Sequence, residues 1–164
     1  MRRRSGGNMV LEAALWIPVM VLLLVGTLQF GKITYTYYAL RKAAFSAARY
    51  LAVQQGTDFC NLAADNNALN ALNFAVNDPT TGSPLISGLT TSMLAITTEC
   101  VDPATGAVGA CDTSGCGAAA GAQRPDYIIV SVSGFTMQPR IPGITLDPIP
   151  LSPSVTVTFG GSTL

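Results

Sequence analysis

Few residues in this sequence carry reactive chemistry, and their spacing limits what they could do. Histidine, the commonest proton shuttle and metal ligand, is absent from all 164 residues. The most unusual carboxylate is Glu12, which stands five residues after Gly7 at the start of an apolar run. No catalytic triad, zinc-protease motif, phosphate-binding glycine loop or EF-hand pattern is present. We therefore expect a protein that is not an enzyme and that uses no cofactor and no metal.

The cysteines indicate disulfides rather than a metal site. They are Cys60, Cys100, Cys111 and Cys116. Their spacing contains no C-x-x-C pair, which disfavours zinc and thioredoxin-like chemistry, and an even number suits an oxidising compartment. Asp102 and Asp112 beside them could bind calcium, but aspartates in such loops are more often solvated turn residues.

The charges are divided unevenly along the chain. Seven of the nine basic residues precede residue 50, whereas eight of the nine acidic residues follow it. The later part therefore offers no basic patch for a phosphate backbone, and nucleic-acid binding is not expected.

Glu12 must be positioned by the element that follows it, an uncharged run over residues 13–31. As a helix this run would be about 28 Å long, close to the hydrocarbon thickness of a bilayer. The arginines at 2–4 predict a cytoplasmic N-terminus and an exported remainder. A removed signal peptide is the rival interpretation, but the run is longer than a typical signal core and no small-x-small site follows it promptly.

The helix is expected to continue beyond the membrane. The sequence after Lys32 lacks Gly and Pro until Gly56, the first residue suited to end a helix. Leu40, Ala44, Ala47 and Leu51 recur at helical spacing and predict one apolar face.

A basic leader that ends in glycine, followed by glutamate five residues later in an apolar helix, resembles the recognition pattern of type IV prepilins. The segments GGNMVLEAALWIPVMVLLLVGTLQFGK and YYALRKAAFSAARYLAV are most similar to the TadE-like minor pseudopilins of the tight-adherence (Flp, type IVc) pilus system. The resemblance covers about residues 6–55. A looser similarity is found in DYIIVSVSGFTMQPRIPGI, which resembles the family's strand followed by a proline-bearing turn.

The resemblance implies a role and a set of partners. A prepilin peptidase would cut between Gly7 and Asn8, and Glu12 would then pair with the new α-amine of a neighbouring subunit. The partners implied are the membrane, the peptidase, other pilin and pseudopilin subunits and the pilus assembly platform. The implied location is the bacterial inner membrane, with a periplasmic C-terminal domain. Incorporation of the protein into an extracellular pilus is a further possibility that the resemblance implies. The alternative is an uncleaved, single-pass periplasmic binding or scaffold protein.

The expected architecture has three parts, a cleaved leader over 1–7, a long helix over 8–55 and an exported α+β domain over 56–164. A second helix is predicted at 58–77, with Leu62, Leu69, Leu72 and Val76 on its apolar face. Alternation predicts strands at about 91–100, 127–135 and 154–159, whereas 101–124 is expected to be a long loop. The fold class is therefore α+β, a pilin-like lollipop with about three antiparallel strands.

Two disulfides are expected within the exported domain. We favour Cys100–Cys111 with Cys60–Cys116, because the Asp-Pro and glycines between Cys100 and Cys111 allow the chain to fold back. Cys111–Cys116 remains open, since its short gap also closes easily.

Overall fold

The computed structural model describes residues 6–111, 124–141 and 144–160, and it is of the α+β class. Two helices and eight strands occur in those ranges, with a short 3-10 turn at Thr91–Met93. In chain order they are α1 (Gly6–Val53), α2 (Asn66–Val76), β1 (Leu94–Val101), β2 (Val108–Ala110), β3 (Tyr127–Val132), β4 (Thr136–Met137), β5 (Arg140–Ile141), β6 (Ile144–Thr145), β7 (Ile149–Pro150) and β8 (Ser154–Thr158). The chain divides into two compact units. The first unit comprises Met1–Tyr35 and Met137–Ile149, and the second comprises Thr36–Thr136 and Pro150–Leu164.

The long N-terminal helix is confirmed, and it runs unbroken for 48 residues through Pro18. It ends at Val53, three residues before Gly56, which adopts the left-handed φ of +78° that favours glycine. The predicted apolar face is also confirmed, because Leu40, Ala44, Ala47 and Leu51 are all fully buried. Small alanines at the other buried positions of α1 allow neighbouring elements to approach closely. Those positions are Ala43, Ala48 and Ala52.

The second unit contains a four-stranded antiparallel sheet in the order β2-β1-β3-β8. The predicted alternation of β3 is confirmed, since Ile128, Val130 and Val132 are buried while the residues between them are half-buried. On β8 the valines at 155 and 157 lie opposite Val130 and Ile128, so the apolar sides of the two strands face the same way.

One strand of the four-stranded sheet was missed by sequence reasoning. β2 lies inside the segment expected to be a loop, and it pairs with β1 from Glu99↔Ala110 to Val101↔Val108. Three residues are too few to show an alternating pattern, and Gly109 has low intrinsic strand preference. The pairing is a tertiary result, because the turn at 102–107 and the disulfide beside it bring the strands together.

The prediction for α2 was wrong in length and in its buried face. The helix begins at Asn66 rather than residue 58, because the Asp65 carboxylate accepts a hydrogen bond from the amide of Ala68 (2.9 Å) and caps the first turn. Residues buried on α2 are Ala68, Ala71, Ala75 and Val76. Leu69 is instead 43% exposed, so only Val76 of the predicted apolar face is buried. Periodicity favoured the larger leucines, but close packing selected alanines.

The proline-rich segment between β3 and β8 forms two short strand pairs that were not predicted. β4 pairs with β7, and β5 pairs with β6 through Arg140↔Thr145 and Ile141↔Ile144. The side-chain amide of Gln138 also donates to the carbonyl of Leu146 at 3.2 Å. Two-residue strands are too short to produce a readable period in a sequence.

Candidate functional site

The residues singled out for processing lie at the first turns of α1. Gly7 and Asn8 are both within the helix, and Glu12 lies one turn after Asn8 with its side chain exposed. Residues four apart on a helix are neighbours, separated by about 6 Å between their Cβ atoms. A chain that began at Asn8 would thus carry its α-amine about one helical turn before Glu12.

The surface that follows Glu12 is apolar on every side. Between Met9 and Leu24 the large apolar side chains are 46–77% exposed, and no residue of this stretch is buried. Within the described residues one helix is long and apolar enough to cross a membrane, Met9–Val53. The hydroxyl of Thr27 donates to the carbonyl of Leu24 at 2.9 Å, so this polar group is satisfied within the helix and needs no water.

The disulfide prediction is confirmed where the structure describes both cysteines. Cys100 and Cys111 are bonded, with their Cα atoms 4.8 Å apart, and they join the end of β1 to the residue that follows β2. Cys60 is also disulfide-bonded. Cys116, its predicted partner, lies outside the described residues, so the pairing of Cys60 with Cys116 stays a prediction.

The turn between β1 and β2 is organised by Asp102. Its carboxylate accepts hydrogen bonds from the Thr105 hydroxyl (2.7 Å) and the Ala104 amide (2.8 Å), and Gly106 completes the turn with φ of +72°. The Thr105 hydroxyl is the main cause that lowers the pKa of Asp102 below its usual 3.8, followed by the Ala104 amide. The carboxylate is thus engaged by its own turn. Asp112, the other candidate for calcium, lies outside the described residues.

Clusters of three or more potential metal ligands do not occur among the residues that the structure describes. Several described carboxylates of the second unit instead accept hydrogen bonds from backbone amides. Asp65 accepts from Asp58 (3.0 Å) and Ala68 (2.9 Å), and Asp78 accepts from Thr80 (2.7 Å) and Thr81 (3.2 Å). Asp65 could have been recognised from sequence as a capping residue, because Asp is a favoured N-cap before an alanine- and leucine-rich helix.

The described residues contain an apolar helix of membrane-spanning length near the N-terminus, followed by a small, disulfide-bonded α+β domain. These features define the class, a candidate single-pass membrane protein. The family model described as TadE-like protein matches residues 7–49, which are almost the whole of α1. Over this helix the chain is therefore similar to the TadE-like family, as its resemblance predicted. Neither the curated proteins nor the solved structures include a significant match.

Proposed function

We propose that this protein is a minor pseudopilin that takes part in assembly of a tight-adherence (Flp) type IV pilus and has no enzymatic activity. The observation that carries the proposal is the coincidence of three features in one element. The TadE-like match begins at residue 7, the apolar surface begins at Met9, and Glu12 is the only acidic residue of α1. The remaining partners would be other pilin and pseudopilin subunits and the assembly platform of the inner membrane.

Processing would cut the chain between Gly7 and Asn8. This bond lies in the first turn of α1, where the amides have no partner within the helix. Gly6 and Gly7 further weaken this turn, because glycine costs about 1 kcal/mol relative to alanine inside a helix. A peptidase could therefore open the turn with little loss of helix stability.

Cleavage would change what Glu12 can pair with. The new α-amine at Asn8 and the carboxylate at Glu12 are opposite charges at the edge of an apolar surface. Between two adjacent helices, pairing would offset the cost of removing each charge from water and would favour one axial register. In this proposal Glu12 acts in subunit association and not in catalysis.

N-terminal sequencing of the protein purified from its own membranes tests the proposal. We expect the mature chain to begin at Asn8, since the scissile bond would follow Gly7. Gly7→Val should block cutting, because a branched side chain next to the bond would crowd the peptidase. Gly6→Val is the matched control and should still be cut. An intact Met1 in wild-type cells with an active prepilin peptidase would contradict the proposal.

Membrane orientation separates the proposal from unrelated anchored proteins. With a cytoplasmic N-terminus, reporter fusions after Gly160 should be active in the periplasm, whereas fusions before Gly7 should be active in the cytoplasm. The alternative function, an uncleaved periplasmic binding or scaffold protein, predicts the same orientation but an uncut N-terminus. The two experiments together therefore distinguish the candidates.

A further inference from the structure

The face of α1 opposite its buried alanines carries an exposed stripe of apolar and basic side chains. We name Tyr38, Lys42, Phe45, Arg49 and Val53 the aromatic–basic stripe. Their spacing of three or four residues places them on one side of the helix, over about 22 Å. Tyr38, Phe45 and Val53 are 61%, 43% and 67% exposed, and both cations are exposed as well.

This stripe differs from an ordinary solvated helix face. It mixes large apolar groups with cations, and residues 13–57 contain no acidic side chain that could neutralise it. Tyr, Phe and Arg are enriched at protein–protein interfaces, where their apolar parts are covered while the Tyr hydroxyl and the Arg guanidinium form hydrogen bonds. The composition fits a partner surface that is acidic and partly apolar.

The outward face of α2 has the complementary chemistry. Leu69 and Phe74 are 43% and 44% exposed, and they flank a ridge of exposed asparagines at positions 66, 70 and 73. Asp58 and Asp65 stand at the N-terminal end of the helix. Residues 50–123 contain no Lys or Arg, so this surface is rich in hydrogen-bond acceptors and has no cation of its own. We name this surface the α2 acceptor face; it comprises Leu69, Phe74, Asp58, Asp65 and the asparagines at 66, 70 and 73.

The two surfaces belong to the same compact unit but to different sides of their helices. Tyr50 of α1 stacks on Phe74 of α2 with ring centroids 5.8 Å apart, which holds α2 beside α1. The buried side of each helix is occupied by alanines in the core. The stripe and the acceptor face therefore both remain largely exposed, and only Phe74, at the edge of the acceptor face, is already stacked within the same copy.

We propose that the aromatic–basic stripe of one copy of this chain docks on the α2 acceptor face of a second copy. Lys42 and Arg49 would donate to the asparagine and aspartate oxygens, while Phe45 would cover Leu69. Because the two patches are different, the contact is head-to-tail, and it can repeat with all α1 helices pointing the same way. This inference does not depend on leader cleavage, so it can fail while the proposed function holds, and the reverse is also true.

Photo-cross-linking of the full chain in detergent micelles tests the docking. Benzoylphenylalanine replaces Phe45, and isotope-labelled and unlabelled copies are mixed so that mass spectrometry separates cross-links between copies from those within one. We expect cross-links between copies that map to residues 66–77. Their yield should fall as salt is raised above about 0.1 M, since exposed charge pairs are screened over about 10 Å at that concentration.

Charge reversal supplies the decisive comparison. Lys42→Glu with Arg49→Glu should lower the yield about tenfold, because two attractions become repulsions. Arg124→Glu reverses an exposed cation outside the stripe and should leave the yield unchanged. Asp58→Lys in the second copy should restore part of the yield of the double variant. Circular dichroism of each variant confirms folding. Cross-links only within one copy, only to lipid or at other surfaces, or a yield indifferent to charge reversal, would overturn the proposal.

Discussion

Glu12 places a carboxylate on an otherwise apolar helix surface, where an unpaired charge costs about 2–3 kcal/mol on insertion scales. We expect Glu12→Gln to preserve membrane insertion and cleavage after Gly7, because the amide is easier to bury than a charge. Assembly should be impaired, since a neutral amide cannot neutralise the α-amine. Piliation and cross-linking between subunits measure the effect. Glu12→Asp keeps the charge and should retain more assembly than Glu12→Gln, and equal piliation in all three proteins would refute the role of Glu12.

Ala47 shows how strongly the packing of α1 depends on small side chains. It is fully buried, and so are Ala44, Ala48 and Leu51 around it. Ala47→Leu adds three carbons to a site without free space and should reduce the free energy of unfolding by about 1–3 kcal/mol. Urea unfolding followed by near-ultraviolet circular dichroism measures the loss. Arg41→Leu, an exposed position of the same helix, is the control and should have a much smaller effect.

The stability of the β1–β2 hairpin should depend on pH, because the carboxylate of Asp102 organises the turn between its strands. The Thr105 hydroxyl, together with the Ala104 amide, lowers the pKa of Asp102. A lowered pKa in the folded state means that ionised Asp102 stabilises the turn above its ordinary pKa of 3.8, and this contribution is lost as the pH falls through the folded-state value.

Thr105→Ala tests this account of the turn. Removal of the hydroxyl should raise the pKa of Asp102 toward 3.8, because the largest cause of its lowering is gone. An NMR titration of the carboxyl resonances measures the change. Asp78 is an internal control, since backbone amides of Thr80 and Thr81 lower its pKa and should continue to do so. An unchanged Asp102 pKa would show that the hydroxyl is not the main cause.

At the scale of the whole molecule, disulfides constrain the chain outside the long helix. Cys100–Cys111 bridges the β1–β2 hairpin. Cys60, in the segment between the two helices, forms part of a second disulfide. Peptide mapping without reduction should recover Cys100–Cys111 and Cys60–Cys116 and no free thiol, because the exported domain would fold in an oxidising compartment. A reduced sample supplies the control. A Cys111–Cys116 peptide, or two or more free thiols in the native protein, would contradict this prediction.

The elements that follow from local patterns were predictable from sequence alone. The uncharged run and the alanine-rich segment after it determined α1, because length and composition are sufficient to define a long apolar helix. The alternation in YIIVSV and SVTVT determined two strands and their apolar sides. The segments GGNMVLEAALWIPVMVLLLVGTLQFGK and YYALRKAAFSAARYLAV also indicated a similarity to the TadE-like family, and the family model matches residues 7–49. The uses proposed for Gly7, Asn8 and Glu12 remain predictions.

Tertiary structure decided the features that depend on contacts between distant residues. β2 has too few residues for a pattern, and its pairing requires the Asp102 turn and the Cys100–Cys111 disulfide. α2 buries Ala68 and Ala71 rather than Leu69, because close packing rewards the side chain that fits and not the most hydrophobic one. On α1, by contrast, periodicity identified the buried face correctly, and Tyr38 and Phe45 lie on the exposed side. Sequence patterns report local conformation, whereas the buried face of a short helix such as α2 depends on the shape of neighbouring elements that only the folded chain brings together.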